Sequence, residues 1–217
     1  MQITVKANEQ QKQSFLAKGV PTGVEISWLS GNMPIPAADA CFDLLFEEKG
    51  SAFLTVSDKP VFINAVIETT ENLPSNCIRI NAWNGFLERD TIEITAAGLQ
   101  AGSRQSELPV EAASILDTLG WTYQLAPDIP GMIAARVIAM VVNEAYFALG
   151  DGVSTKSSID TAMKLGTNYP YGPFEWSEKI GLKKIYALLN KLNETDSRYI
   201  PAHNLQKEAS QNNPVNQ

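Results

Sequence analysis

Short runs of β-branched and aromatic residues recur through the first 125 residues, and their spacing predicts a sheet. One amphipathic helix is predicted among them at Val110–Leu119, where apolar residues recur at helical spacing and Gly120 follows as a stop signal. Asn84-Gly85 is a strong turn signal between two of the runs. The predicted strands lie at Gln2–Lys6, 24–28, 60–64, 78–83, 91–95 and 121–125.

From Pro130 onward the apolar pattern changes to a helical period. Residues 130–149 form a long apolar segment, long enough for a buried helix of about five turns. Arg136, Asn143 and Glu144 interrupt it, so it is too polar to span a membrane. This change of pattern divides the chain into a predicted α/β domain at 1–128 and a helical domain at 129–217.

Two shorter helices are predicted after the glycines at 150 and 152. The first has Ser154 as its N-cap, one apolar face and Gly166 as its stop. The apolar residues of that face are Ile159, Ala162 and Met163. The apolar face of the second helix is formed by Leu182, Ile185, Tyr186 and Leu189.

Charge and composition exclude several classes of function. The net charge is −7, and residues 1–129 hold 8 basic against 16 acidic residues, which argues against a nucleic-acid partner. Cys41 and Cys77 lie in strand-like runs and are expected to be reduced core thiols of a cytoplasmic protein. With His203 as the single histidine, no metal site is expected, and no signal peptide or membrane association is predicted.

A specific order of residues in the second half resembles the L-3-hydroxyacyl-CoA dehydrogenase family, which includes the 3-hydroxybutyryl-CoA dehydrogenases. The resemblance is strongest over residues 120–205. It rests on Pro130-Gly131, Asn143-Glu144-Ala145, Ser154, Ile159-Asp160, Ala162-Met163, Gly166-x-Asn168-x-Pro170-x-Gly172-Pro173, Ile180-Gly181-Leu182 and Arg198-Tyr199-x-Pro201.

The resemblance implies a shortened, doubly wound Rossmann-like domain with a parallel sheet, followed by the family's all-helical C-terminal domain. It also implies NAD as cofactor, an acyl-CoA substrate and a homodimer formed through the helical domain. The segment 38–47 resembles the family's central strand, whose acidic residue corresponds to Asp43. For Asp43, a role as a polar residue at a strand end is favoured over a cofactor contact.

The cofactor loop that the resemblance implies is not present in the sequence. The three glycine positions of a dinucleotide-binding turn correspond to Lys6, Asn8 and Gln11, and Glu9 would add repulsion toward phosphate. No G-x-G-x-x-G occurs anywhere in the chain. The sequence therefore predicts that no NAD is bound.

The family's catalytic positions are also altered. The position of the histidine base corresponds to Asn81, and an amide cannot serve as a base near neutral pH. Its orienting carboxylate corresponds to Glu93, twelve residues later. The two positions that hold the substrate oxygen correspond to Val66 and Ala135. His203 is expected to be a solvated surface residue rather than a replacement base.

These losses predict a family member without dehydrogenase activity, acting as a dimeric binding or regulatory module. One alternative is an active NAD-dependent 3-hydroxyacyl-CoA dehydrogenase of fatty-acid metabolism with an atypical site. Another is a crevice that binds an acyl-CoA or other small molecule through Glu93, Asn84 and Asn81.

Overall fold

The computed structural model describes residues 1–31, 34–53, 55–96 and 108–211. The chain divides into two compact units, residues 1–133 and 134–217. Among the described residues, no helix combines the length and the apolar character needed to cross a bilayer.

Unit 1 is built on one seven-stranded sheet with the order β2-β1-β3-β4-β5-β6-β7. All neighbouring strands are parallel except β5 and β6, which are antiparallel and flank the turn predicted at Asn84-Gly85. The predicted fold class is therefore confirmed. The strands are β1 Gln2–Lys6, β2 Glu25–Trp28, β3 Ala40–Asp43, β4 Val61–Asn64, β5 Cys77–Ile80, β6 Thr91–Ala96 and β7 Thr122–Leu125.

Two helices cover one face of this sheet, α1 Glu9–Ala17 and α3 Val110–Leu119. An aromatic cluster forms the centre of that layer, with the Phe15 ring 5.3 Å from Phe42 and 5.0 Å from Trp121, centroid to centroid. Both contacts have the edge-to-face geometry that aromatic rings prefer. The helical stop predicted at Gly120 is confirmed, because this residue adopts the left-handed conformation at φ 69°.

Loops rather than long helices cover the opposite face. Between β2 and β5, the described connections contain only the four-residue helix α2 Phe46–Lys49 and a 3₁₀ turn at Thr70–Asn72. The buried cluster beneath these loops includes Cys41, Phe53, Val61, Ile63 and Cys77. Both cysteines are buried and free, as expected. Burial raises the pKa of each thiol to about 11, so both stay protonated at neutral pH.

Asp43 ends β3 on this loop-covered face and is fully buried. One carboxylate oxygen accepts the Ala52 N–H at 2.8 Å, which anchors the loop after α2. The other oxygen, Oδ1, makes no hydrogen bond within the described part of the chain. Burial raises the pKa of Asp43, although the bond from Ala52 and the nearby Lys6 oppose that shift. The interpretation of Asp43 as a polar residue at a strand end agrees with this environment.

Unit 2 is helical, and its longest helix is packed against three others. Buried residues such as Val142, Tyr146, Leu188 and Leu205 form its core. The helices are α4 Ala134–Gly150, α5 Lys156–Thr167, α6 Pro173–Ile180, α7 Leu182–Asn193 and α8 His203–Gln211, with a 3₁₀ turn at Ser197–Tyr199. His203 is exposed at the start of α8, as expected.

Helix α5 differs from its prediction at both ends. Thr155, not Ser154, is the N-cap, because its hydroxyl accepts the Ser158 N–H at 3.3 Å. The helix continues past Gly166 to Thr167 and stops at Asn168, which takes the left-handed conformation that asparagine tolerates. Within α5, Asp160 alone is buried. The predicted apolar face is therefore half-buried or exposed rather than part of the core.

Several residues that carry the family resemblance have structural roles. The buried Asn143 side chain donates to the Ile200 carbonyl at 2.9 Å and accepts the Ala202 N–H at 2.8 Å, joining α4 to the segment before α8. Asp160 accepts the Phe174 N–H at 2.8 Å and so caps the start of α6. Gly172 lies directly against Asp160, since a Cβ there would stand 2.3 Å from its Oδ1.

We expect Gly172→Ala to destabilise the protein by about 1–3 kcal/mol, because the added methyl group forces Asp160 away from Phe174. Gly166→Ala is the matched control, since a Cβ at that helical position meets nothing within 4 Å and alanine favours the helix. Urea unfolding of both variants measures the difference. Equal stability of the two variants would contradict the proposed contact.

The raised pKa of Asp43 predicts a pH dependence of stability. The folded state binds this proton more tightly than the unfolded chain, so the stabilisation is present at low pH and is lost as pH rises through the folded pKa. Asp43→Asn retains an acceptor for Ala52 without the charge. We expect it to exceed the wild type in stability at about pH 8, with the difference shrinking toward about pH 4.

Urea unfolding across that pH range tests this expectation, with the exposed Asp58→Asn as a control whose profile follows the wild type. An Asp43→Asn variant with the same pH slope as the wild type would show that the buried carboxylate does not determine it.

Candidate functional site

The strand order places the candidate site at the carboxyl ends of β1 and β3. The chain passes from β1 to β2 on one side and returns to β3 on the other, so these neighbours mark the reversal of strand order. Open α/β sheets bind ligands in the crevice at such a point. In this protein the crevice would be formed by residues 7–8, after β1, and residues 44–45, after β3.

The side chain of Gln11 fills this position. Its amide nitrogen donates to the Leu44 carbonyl at 2.6 Å, and only 2% of the residue is exposed. Its amide oxygen accepts the Asn8 N–H at 3.0 Å, while the Asn8 side chain accepts the Gln11 N–H at 2.8 Å. This reciprocal capping box fixes the start of α1 and leaves the Gln11 side chain pointing across the crevice.

Asn64 extends the network to the next strands. Its side-chain nitrogen also donates to the Leu44 carbonyl, at 3.2 Å, and its oxygen accepts the Ala82 N–H at 3.0 Å. Asn64 is 2% exposed. Two buried amides, Gln11 and Asn64, therefore satisfy the backbone at the ends of β3 and β5.

The residues at the start of α1 do not fit a dinucleotide. A diphosphate at such a site needs glycines for close approach and free N–H groups at the helix N-terminus. Here the Gln11 N–H is bonded to Asn8, and Glu9 supplies a negative charge in the first turn. The Gln11 side chain occupies the position where glycine would let the helix pack on the strand.

The structure brings Asn81 and Glu93 together. The Asn81 side chain donates to the Glu93 carboxylate at 3.1 Å, and the Asn81 N–H donates to the Glu93 carbonyl at 3.0 Å across the β5–β6 pair. The Asn81 oxygen lies 3.4 Å from the Trp83 N–H. The arrangement orients an amide by a carboxylate, but an amide cannot take up the hydroxyl proton of a substrate.

The other predicted site residues have different environments. Asn84 is in the turn that Gly85 permits at φ 88°, and its side chain donates to Gln10 at 3.1 Å. Val66 is buried, and its carbonyl accepts the Gly131 N–H at 2.7 Å. Ala135 is buried in α4. Neither Val66 nor Ala135 offers a side-chain donor for a substrate oxygen.

A buried arginine near these loops was not predicted from the sequence. Arg79 is fully buried and forms an ion pair with Asp128. Its guanidinium also donates to the carbonyls of Ala65 at 2.8 Å, Val66 at 3.2 Å and Ile129 at 3.3 Å. Burial lowers the pKa of Arg79 while Asp128 raises it. The one available signal was a charged residue inside the apolar strand β5.

Glu47 occupies the space beside Arg79. Its carboxylate accepts the N–H groups of Ile67 and Glu68, and the Trp83 ring nitrogen donates to it at 3.4 Å. Burial raises the pKa of Glu47, while these donors and Arg79 lower it. The charged side chains of Glu47 and Arg79 are thus hydrogen-bonded to groups of the protein itself. Within the described residues, no cluster of three or more potential metal ligands occurs.

Comparison with known proteins identifies the second unit. Residues 131–215 match the family model for the 3-hydroxyacyl-CoA dehydrogenase C-terminal domain. The chain is 33% identical over 177 residues to the 3-hydroxyadipyl-CoA dehydrogenase of Escherichia coli, covering 81% of this chain and 36% of that protein. It is 27% identical to a probable 3-hydroxybutyryl-CoA dehydrogenase of Bacillus subtilis, covering 65% and 48%. The chain thus spans about a third to a half of these relatives.

Solved structures agree with this comparison. The 3-hydroxybutyryl-CoA dehydrogenase of Escherichia coli superposes with a TM-score of 0.58 at 32% identity, over 71% of this chain and 32% of that one. FadB2 of M. tuberculosis superposes with a TM-score of 0.74 over 96% and 93%, at 13% identity, and so supports the fold alone. Through the sequence of its helical unit and the architecture of both units, the chain belongs to the 3-hydroxyacyl-CoA dehydrogenase family.

Proposed function

We propose that this chain is a family member that neither binds NAD nor oxidises 3-hydroxyacyl-CoA, and that it acts as a dimeric binding or regulatory module. The observation that supports this most directly is the Gln11 side chain bonded to Leu44 at the switch point of the sheet. A cofactor would have to displace a buried amide and leave the Leu44 carbonyl with one donor fewer. The loss of one such hydrogen bond costs about 0.5–1.5 kcal/mol before any phosphate is bound.

The replacement of the base supports the same proposal independently. By the correspondence that the family resemblance implies, Asn81 stands in place of the histidine and lacks its titratable nitrogen, although it still contacts the carboxylate of Glu93. Because the two defects lie in different loops, restoring one does not restore the other. A ligand for the module, an acyl-CoA among the candidates, would then be bound without being oxidised.

The retained contact between Asn81 and Glu93 favours a second candidate function. If another group supplied the base, this pair could still orient a substrate oxygen. The chain would then be an active NAD-dependent 3-hydroxyacyl-CoA dehydrogenase of fatty-acid metabolism with an atypical site. That function requires the nicotinamide cofactor to enter where Gln11 now lies.

An activity assay separates the two candidates. We expect no NADH formation from 3-hydroxybutyryl-CoA and NAD, and none from the Asn81→His variant, because Gln11 still closes the cofactor position. Glu93→Gln serves as the control. Turnover by the wild type that Glu93→Gln reduces by a factor of about 100 or more would establish the dehydrogenase instead.

The face of α4 supports the dimer. Val137 is 52% exposed, and together with Met140 and Val141 it lines an open cavity of 490 Å³ that also includes Arg136 and Glu144. On this face Arg136 lies about one helical turn before Met140, and Glu144 lies about one turn after it. Two copies packed antiparallel across Met140 would bring Glu144 of each toward Arg136 of the other, as a two-fold interface requires.

Sedimentation equilibrium tests this interface. We expect the wild type to sediment at about twice its 23.7 kDa mass and Val137→Lys to be monomeric, because the lysine places a charge at the centre of the apolar contact. Val153→Lys is the matched control, since Val153 is 71% exposed but lies outside α4. A monomeric wild type, or equal dissociation by both variants, would refute the proposed interface.

A further inference from the structure

Three hydrogen-bond donors converge at one end of the cavity on the α4 face. The lining of this 490 Å³ cavity also includes Arg198 and Tyr199, from the 3₁₀ turn that precedes α8. The Nε of Arg136 donates to the Tyr199 hydroxyl at 2.9 Å, and a guanidinium nitrogen of Arg198 donates to the same oxygen. Two cations therefore meet at a single hydroxyl, and the proton of that hydroxyl is a third donor.

The ring of Tyr199 holds both cations in place. Tyr199 is only 2% exposed, and its ring centroid lies 4.9 Å from the Cζ of Arg136 and 4.5 Å from the Cζ of Arg198. These distances are typical of cation–π contacts. Two positive charges held this close together repel each other. A negatively charged group bound beside both guanidinium groups would offset that repulsion.

The nearby acidic residues leave one of these cations without a counter-charge. Asp196 pairs with the Nε of Arg198 at 3.0 Å, where both side chains are exposed. In the part of the chain that the structure describes, no carboxylate pairs with Arg136. Glu144 also lines the cavity, but it lies eight residues later in α4, about 12 Å along the helix axis. At that separation, solvent and salt screen its charge.

The rest of the cavity wall is apolar. Val137, Met140 and Val141 line it between Arg136 and Glu144. Its volume lies within the range of small-molecule sites, about 300–1,000 Å³. A ligand that matches this surface has an anionic head for the arginines and an apolar chain for the wall. A monocarboxylate with a short aliphatic chain has both features.

We propose that such a monocarboxylate binds in this cavity and competes there with the second copy of the protein. Its carboxylate would accept hydrogen bonds from Arg136, Arg198 and the Tyr199 hydroxyl, and its chain would cover the apolar wall. This inference rests on the dimer proposed above, in which Glu144 of the partner subunit approaches Arg136. Because the ligand and the second copy need the same guanidinium and the same apolar surface, the ligand concentration would set the fraction of dimer.

Calorimetric titration of the full chain with octanoate, at constant ionic strength, tests the site. We expect saturable binding. Acetate lacks the chain and octanol lacks the charge, so we expect each to bind at least about tenfold more weakly. Arg198→Gln, a substitution of an exposed side chain, should weaken octanoate binding at least about tenfold. Lys207→Gln is the matched control, because it removes one exposed positive charge from α8, and we expect it to bind as the wild type does.

Absence of octanoate binding at concentrations up to about 5 mM would overturn the inference. So would octanol binding as tightly as octanoate, since the arginines would then contribute nothing. Equal weakening by Arg198→Gln and Lys207→Gln would also overturn it, because that result indicates a nonspecific effect of net charge.

Sedimentation equilibrium at increasing octanoate concentration tests the competition. We expect the mass to fall from that of the dimer toward 23.7 kDa as binding saturates, while acetate at the same concentration leaves it unchanged. Octanoate that binds without lowering the mass of the dimer would overturn the competition. A wild type that is monomeric without octanoate would refute the proposed interface and the competition together, whereas the calorimetric result decides the ligand site by itself.

Discussion

The function that we propose for the first unit depends on the hydrogen bond from Gln11 to the Leu44 carbonyl. Backbone carbonyls that emerge from the ends of parallel strands need donors, and in a dinucleotide-binding domain the crevice left between the loops receives a ligand. In this protein two buried amides, Gln11 and Asn64, donate to the same carbonyl. These side chains fill the crevice with hydrogen bonds of the chain itself, which is why we propose that it binds no cofactor.

Buried polar side chains also bind backbone groups on the loop-covered face of the sheet. On this face charged side chains, rather than long helices, fix the covering segments. Asp43 accepts a hydrogen bond from the loop after α2, and Glu47 accepts one from the loop after β4. Arg79 donates to the segment that ends unit 1. Such buried charges are costly unless they are paired and hydrogen-bonded. Each of the three side chains is hydrogen-bonded to backbone groups of a loop, and these bonds hold the loops over this face.

Most of the fold could be predicted from the sequence, because period and turn chemistry are local. Strand Gln2–Lys6 and helix Val110–Leu119 occur at their predicted positions. The pairing of Asn81 with Glu93 was implied by the family resemblance and not by the local pattern. Helix ends were less certain, since neighbouring residues such as Ser154 and Thr155 compete as caps.

The decisive contacts of the site could not be predicted in this way. The bond from Gln11 to Leu44 joins residues 33 positions apart, and the ion pair of Arg79 with Asp128 joins residues 49 apart. A local sequence pattern carries no information on contacts between residues so far apart in the chain. The sequence showed that glycine was missing at position 11, but not that glutamine would occupy the crevice.

The most direct test of a closed switch point is calorimetric titration of the purified protein with NADH. A filled crevice predicts no heat of binding at cofactor concentrations up to about 1 mM, which corresponds to a binding free energy weaker than about −4 kcal/mol. Saturable binding in the micromolar range would contradict a closed switch point. The free energy of cofactor binding would then exceed the free energy lost when the Gln11 side chain leaves Leu44.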